Sequence, residues 1–257
     1  MAIDFVVNDS IALITLNRPE RSNALDAEHY ELLSKAWCRV RDDGDIRVAV
    51  ITGAGDRAFC AGADLKSFVG RDVELAELWL TQQNQLLNRG LEIWKPVIAA
   101  VNGACVGGGM TLLLATDIRV ASEHAIFSLA EVKRGIVAAN GGTQRIMQQL
   151  PYAIAMELLL TGSDIDARQA ERWGLVNKVT SVDKVIDEAM NYARRIGENA
   201  PLALQAAKEL AIRSRDMDLT TGLRMEQLVN RILHQSADTK TAKQAFAEKR
   251  KPKFEGK

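Results

Sequence analysis

The chain has 257 residues, 47% of them hydrophobic, enough to bury one large core, which excludes a fully disordered protein. Lysine plus arginine and aspartate plus glutamate both number 33, so no net field draws the molecule to nucleic acid or to an anionic membrane, and a small-molecule partner is expected. Three cysteines without C-x-x-C spacing and three scattered histidines give neither a disulfide framework nor a common zinc pattern, and no apolar run approaches the ~20 residues of a membrane span; a cytoplasmic chain without a metal is expected.

In chain order, residues 5–7 and 11–16 read as the strands of a hairpin around Asn8-Asp9. Apolar residues at three-to-four spacing over 25–40 predict a helix, with Gly44 placed to stop it. The continuous apolar runs at 46–52 and 97–101 suit strands buried on both faces. Strands at 118–121, 126–129 and 175–179 and helical patterning over 143–160 continue the alternation expected of an α/β fold. After about residue 182 the pattern is helical only (182–196, 201–215, 219–235 and 239–249), and the charged tail EKRKPKFEGK reads as a solvated end. The expected division is a core at 1–195 and a helical region at 196–257, too thin for its own full core, which packs on the rest or on a neighbouring subunit.

Three stretches invite a chemical reading. GAGDRA (53–58) follows a strand and fits a loose dinucleotide fingerprint, but the residues after it lack the long helix that such a site requires, so a plain turn is the competing reading. FCAGADLKSF (59–68) and VNGACVGGGMTLLLA (101–115) each place small residues directly after a strand, where backbone N–H groups can face a ligand. The second run also opens a helix, adding positive partial charge there. Close packing of two elements explains the glycines equally well. Glu131, in a loop before a glycine-rich helix start, reads from its own surroundings only as a solvated carboxylate.

Taken together, LNRPERSNAL (16–25), FCAGADLK (59–66), KPVIAAVNGACVGGG (95–109), GGTQRI (141–146), ELLLTG (157–162), ARQAERWGLVNKV (167–179) and FAEKRK (246–251) resemble the enoyl-CoA hydratase/isomerase, or crotonase, superfamily over nearly the whole chain. The resemblance implies a spiral of repeated ββα units, a C-terminal helical region that mediates trimers or hexamers of paired trimers, and an acyl-CoA substrate with no separate cofactor. It assigns the backbone N–H groups of Ala63 and Gly108 to the thioester oxygen and Glu131 to proton transfer. It places Ala61, Ala63, Asp64, Leu65 and Lys66 along coenzyme A, and Phe246 and Lys249 against the coenzyme A of a neighbouring subunit; Phe246 has an alternative as a core residue. The stretch 67–90 resembles the family least and is expected to border the acyl chain.

The departure is Thr111, which falls where the family's hydratases carry the first of two glutamates. A threonine hydroxyl orients water but is no base near neutral pH, and it also bonds backbone carbonyls within helices. With Glu131 as the one acid, double-bond isomerisation of an enoyl-CoA is the expected reaction, with hydration of a 2-enoyl-CoA as the alternative. A nicotinamide-dependent oxidoreductase resting on GAGDRA and a non-catalytic acyl-CoA-binding protein are the rivals from other classes.

Overall fold

The computed structural model describes residues 2–68 and 85–257, so most of the stretch expected to border the acyl chain lies outside the described residues. The chain opens with the hairpin β1 (Ile3–Asn8) and β2 (Ile11–Leu16), whose turn is made by Asp9 and Ser10 at φ 48° and 62°. Left-handed backbone at both positions matches the strands' twist; the turn is Asp9-Ser10, one residue later than the expected Asn8-Asp9, and Asn8 closes β1. Helix α1 (Ala27–Asp42) is capped by the Asp26 side chain accepting from His29 N, and buries Leu33, Trp37 and Val40 along one stripe.

Strands β3 (Val48–Gly53), β5 (Val97–Val101), β7 (Ile118–Ser122) and β10 (Lys178–Thr180) extend the hairpin into a sheet of order β1-β2-β3-β5-β7-β10, parallel from β2 onward. Every side chain of β3 and β5 is buried, as their unbroken apolar sequences require. One face of the sheet, through Val48, Val50, Ile98 and Val120, meets Val185, Ala189 and Ala193 of helix α7 (Val185–Gly197). The other face, through Ile14, Ile51 and Ala99, belongs to the main core with Trp37 and Phe127.

A second sheet of three-residue strands positions the site. It runs β4 (Ala58–Cys60), β6 (Ala104–Val106), β8 (Ile126–Ser128), β9 (Asp164–Asp166), with β4, β6 and β8 parallel. Cys60 is in register with Cys105 and Cys105 with Phe127. Three neighbouring strands therefore end side by side, and the loops that leave them carry AGAD, GGG and Glu131. Ligand sites in parallel sheets form beyond such carboxyl ends. The sequence reading missed β4, β6 and β9.

The helical patterns over 143–160 are two helices, α4 (Gly142–Gln149) and α5 (Tyr152–Thr161), because Pro151 lacks the N–H to continue the first and caps the second, and α6 (Ala167–Arg172) follows β9. One expectation needs correction. The charged tail is not simply solvated: Asp238, buried in α10 (Ala237–Ala247), accepts from Glu255 N at 2.7 Å and Gly256 N at 2.9 Å, and Arg47 donates to Phe254 O at 2.6 Å. Helices α8 (Pro201–Arg213) and α9 (Leu219–Leu233) bury no side chain in the single chain. No described helix is long and apolar enough to cross a membrane.

Candidate active site

GAGDRA is a turn between β3 and β4. Asn23 Nδ2 donates to Ala54 O and Ala58 O, Asn102 Oδ1 accepts from Gly53 N, and a strand follows instead of the helix that a dinucleotide site needs. Its glycine has a packing role, since a Cβ on Gly53 would lie 2.4 Å from Ala58 O.

Beyond β4 and β6 the two glycine loops meet. Leu25 pairs with the first loop, donating to Gly62 O and accepting from Asp64 N, which turns the intervening Ala63 N–H away from Leu25. Asp64 fastens the same loop from outside by accepting from Arg18 Nη1 at 2.9 Å and from Lys66 N at 3.2 Å. Gly62, at φ +89°, brings the loop against the start of helix α3 (Gly108–Leu113): a Cβ there would lie 2.7 Å from Gly108 N. A Cβ on Gly108 would in turn lie 3.4 Å from Ala63 N. The N–H groups of Ala63 and Gly108 thus stand beside one another, and neither has a backbone partner among the described residues. Helix α3 has only six residues, so these local donors, more than a helix dipole, define the site.

Glu131 reaches the same place from β8. Its carboxyl lies against Gly107, where an added Cβ would be 3.5 Å from Oε1, and Oε2 is buried with no hydrogen-bond partner. Burial pushes the carboxyl above its ordinary range, only partly offset by a backbone hydrogen bond and by Arg134. The solvated-carboxylate reading therefore does not hold. Cys60, also adjacent, is a poor nucleophile: burial raises its thiol to about 12, and its Sγ accepts from Gly62 N.

Thr111 is 1% exposed and fully engaged. Its hydroxyl donates to Gly108 O at 3.0 Å and accepts from Asn88 Nδ2 at 3.0 Å, while its methyl packs at Gly142. It braces the residue that carries one of the two donors. Replacement by the near-isosteric valine removes the Thr111 bond to Gly108 O and strands the Asn88 Nδ2 group, and is expected to cost about 1–3 kcal/mol; a fall in Tm of about 2–4 °C per kcal/mol, read by thermal denaturation, checks this.

The remaining expected residues are more dispersed. Ala61 lies exposed on the first loop, and Leu65 and the exposed Lys66 open the short helix α2 (Leu65–Phe68). Phe246 is 87% exposed, so it is no core residue of α10, and Lys249 lies just past that helix's end. A cavity of about 830 Å³ between α8 and the body of the chain, lined by Trp94, Arg119, Arg145 and Lys208 among others, includes none of Ala63, Gly108, Thr111 and Glu131. Sequence reasoning missed Asn88, which meets Thr111 across 23 positions. It also missed Arg145, whose Nη1 donates to Asn88 O at 3.2 Å and Asn140 O at 3.0 Å.

Paired backbone donors next to a half-buried carboxyl group, on a spiral of parallel strands, define an α/β enzyme of the crotonase superfamily. The chain belongs to the enoyl-CoA hydratase/isomerase family, whose profile matches residues 7–257. It is 42% identical over 256 residues to an (E)-benzylidenesuccinyl-CoA hydratase of Thauera aromatica, covering 100% of both chains. It is 38% identical over 260 residues to a carnitinyl-CoA dehydratase of Proteus mirabilis (strain HI4320), covering 99% of this chain and 98% of that one. Among solved structures, an enoyl-CoA hydratase from Bacillus anthracis superposes with a TM-score of 0.92 at 35% identity over 100% of both chains.

Proposed function

We propose that the chain adds water to, or removes it from, an acyl-CoA thioester through an enolate, with Glu131 as its one proton carrier. The observation that carries this reading is the half-buried Glu131 carboxyl, whose Oε2 is buried without a partner, near the free N–H groups of Ala63 and Gly108. Negative charge that develops on a thioester oxygen needs fixed donors, and each such donor is worth roughly 3–4 kcal/mol in comparable sites. A carboxyl whose ionised form is disfavoured by burial is a better proton donor and acceptor near neutral pH than an exposed one. The hydratase and dehydratase names of relatives at 42% and 38% identity favour hydration over isomerisation.

In this reading coenzyme A runs along Ala61, Ala63, Asp64, Leu65 and Lys66, with Phe246 and Lys249 reaching it from a neighbouring subunit of a trimer or hexamer. The exposure of Phe246 and the absence of buried side chains in α8 and α9 support a region that completes itself against other subunits. The second reading, one-base isomerisation of an enoyl-CoA, is favoured by the neutral Thr111 in place of a second acid. Ultraviolet absorbance of the conjugated enoyl thioester separates the two. A fall with 2-enoyl-CoA is the expected result; a rise with 3-enoyl-CoA and no change with 2-enoyl-CoA replaces hydration by isomerisation.

A further inference from the structure

Four buried side-chain polar atoms have no partner among the described residues, and two of them, Glu131 Oε2 and Asn88 Oδ1, belong to this site. Asn88 is 6% exposed and held at both ends. Its backbone oxygen accepts from Arg145, and its Nδ2 donates to Thr111 Oγ1. With the hydroxyl proton of Thr111 going to Gly108 O, Thr111 accepts from Asn88 Nδ2. That leaves Oδ1 as a buried acceptor without a partner among the described residues, which is costly unless it meets a donor. Glu131 lies against Gly107, while Asn88 is bonded to Thr111, whose N–H is bonded to Gly107 O at 3.0 Å. The residues that carry the two acceptors therefore both contact the first turn of α3, Glu131 at Gly107 and Asn88 at Thr111.

We propose that Asn88 Oδ1 is the second acceptor for the water that is added, or for the hydroxyl group that leaves, standing where the site lacks an ionisable acid. The inference rests on the hydratase reading above. Water has two hydrogens for the two acceptors. One goes to Glu131, and the other is held by Asn88, so that the oxygen lone pair faces the β carbon. The oxygen bonds to that carbon, the alkene electron pair moves to the thioester oxygen, and Glu131 takes the proton and returns it to the α carbon as the enolate collapses. Nothing is oxidised or reduced, and the sum is one water added. An amide takes no proton at neutral pH, so Asn88 orients but carries none.

The test compares two reactions of the same protein: hydration of 2-enoyl-CoA, followed by absorbance, and α-hydrogen exchange of a saturated acyl-CoA in deuterium oxide, followed by mass spectrometry. Exchange needs Glu131 and the paired N–H groups but no added water. Asn88→Leu, close in shape, is expected to lower kcat for hydration roughly 100-fold through lost orientation, with KM and exchange within about threefold of the parent. Asn88→Ala repeats the measurement should the leucine variant melt early. Unchanged hydration in the folded variants overturns the proposal. An equal loss of hydration and exchange also overturns it, since Asn88 would then only brace α3. A parent protein that exchanges but does not hydrate defeats the hydratase reading, and this inference with it, while leaving the enolate site standing.

Discussion

Glu131→Gln is expected to lower turnover by about 10²–10⁴-fold with little change in KM, because the amide keeps the shape of the carboxyl but cannot carry a proton. Both hydration and α-hydrogen exchange should be lost together, in contrast to the Asn88 variants. The parent enzyme's hydration rate should rise with pH through a group above the ordinary 4.5 of a glutamate, since the carboxylate must be free to accept the proton of water. The same burial has a signed effect on stability. A carboxyl whose pKa is raised in the folded state binds protons more tightly there than in the unfolded chain, so this group lowers stability as pH rises past its unfolded value. The penalty is complete above the folded-state pKa. Glu131→Gln should therefore melt higher than the parent at neutral pH, and the difference should vanish below the unfolded value. Full turnover in this variant would remove Glu131 from the mechanism.

Much of this was legible in the sequence where the signal is local. The polar step Asn8-Asp9-Ser10 between two apolar runs marks the hairpin, though its turn lies one residue past Asn8-Asp9, and β3 and β5 follow from unbroken apolar runs that only a twice-covered strand can use. The motifs after β4 and β6 gave Ala63 and Gly108 through resemblance, although three-residue strands carry too little periodicity to reveal that the two loops leave one sheet side by side. The 175–179 run is strand only from Lys178, because the Leu175 and Val176 N–H groups both donate to Ala170 O in the turn before it instead of joining the sheet. Glu131 could not be told from a solvated acid without knowing that β8 delivers it to Gly107. Asn88 was invisible for a similar reason. Its partner Thr111 is distant in sequence, and an asparagine between leucine and arginine has no pattern of its own.

The three consecutive glycines are expected to fail in different ways when each is replaced by alanine, because each is required for a different reason. Gly109 faces Cys60, where a Cβ would lie 2.1 Å from the carbonyl oxygen, a contact that backbone cannot yield; Gly109→Ala should not reach a stable fold. Gly107 sits at φ +55° with Glu131 beside it, so alanine there combines backbone strain with displacement of the carboxyl. Gly108 is the informative case. Its Cβ would lie 3.2 Å from Gly62 Cα and 3.4 Å from Ala63 N, distances that a shift of tenths of an ångström relieves. Gly108→Ala should therefore fold, yet the shift falls on the two N–H groups that must converge on one oxygen, and kcat is expected to drop about 10²-fold. Gly44→Ala, with nothing within 4 Å of the new methyl group, is the control and should keep full activity. Circular dichroism melts beside kinetics separate the outcomes: a folded, slow Gly108→Ala with an unfolded Gly109→Ala divides donor from spacer within one tripeptide. A folded Gly108→Ala of undiminished turnover would show that the thioester oxygen is held elsewhere.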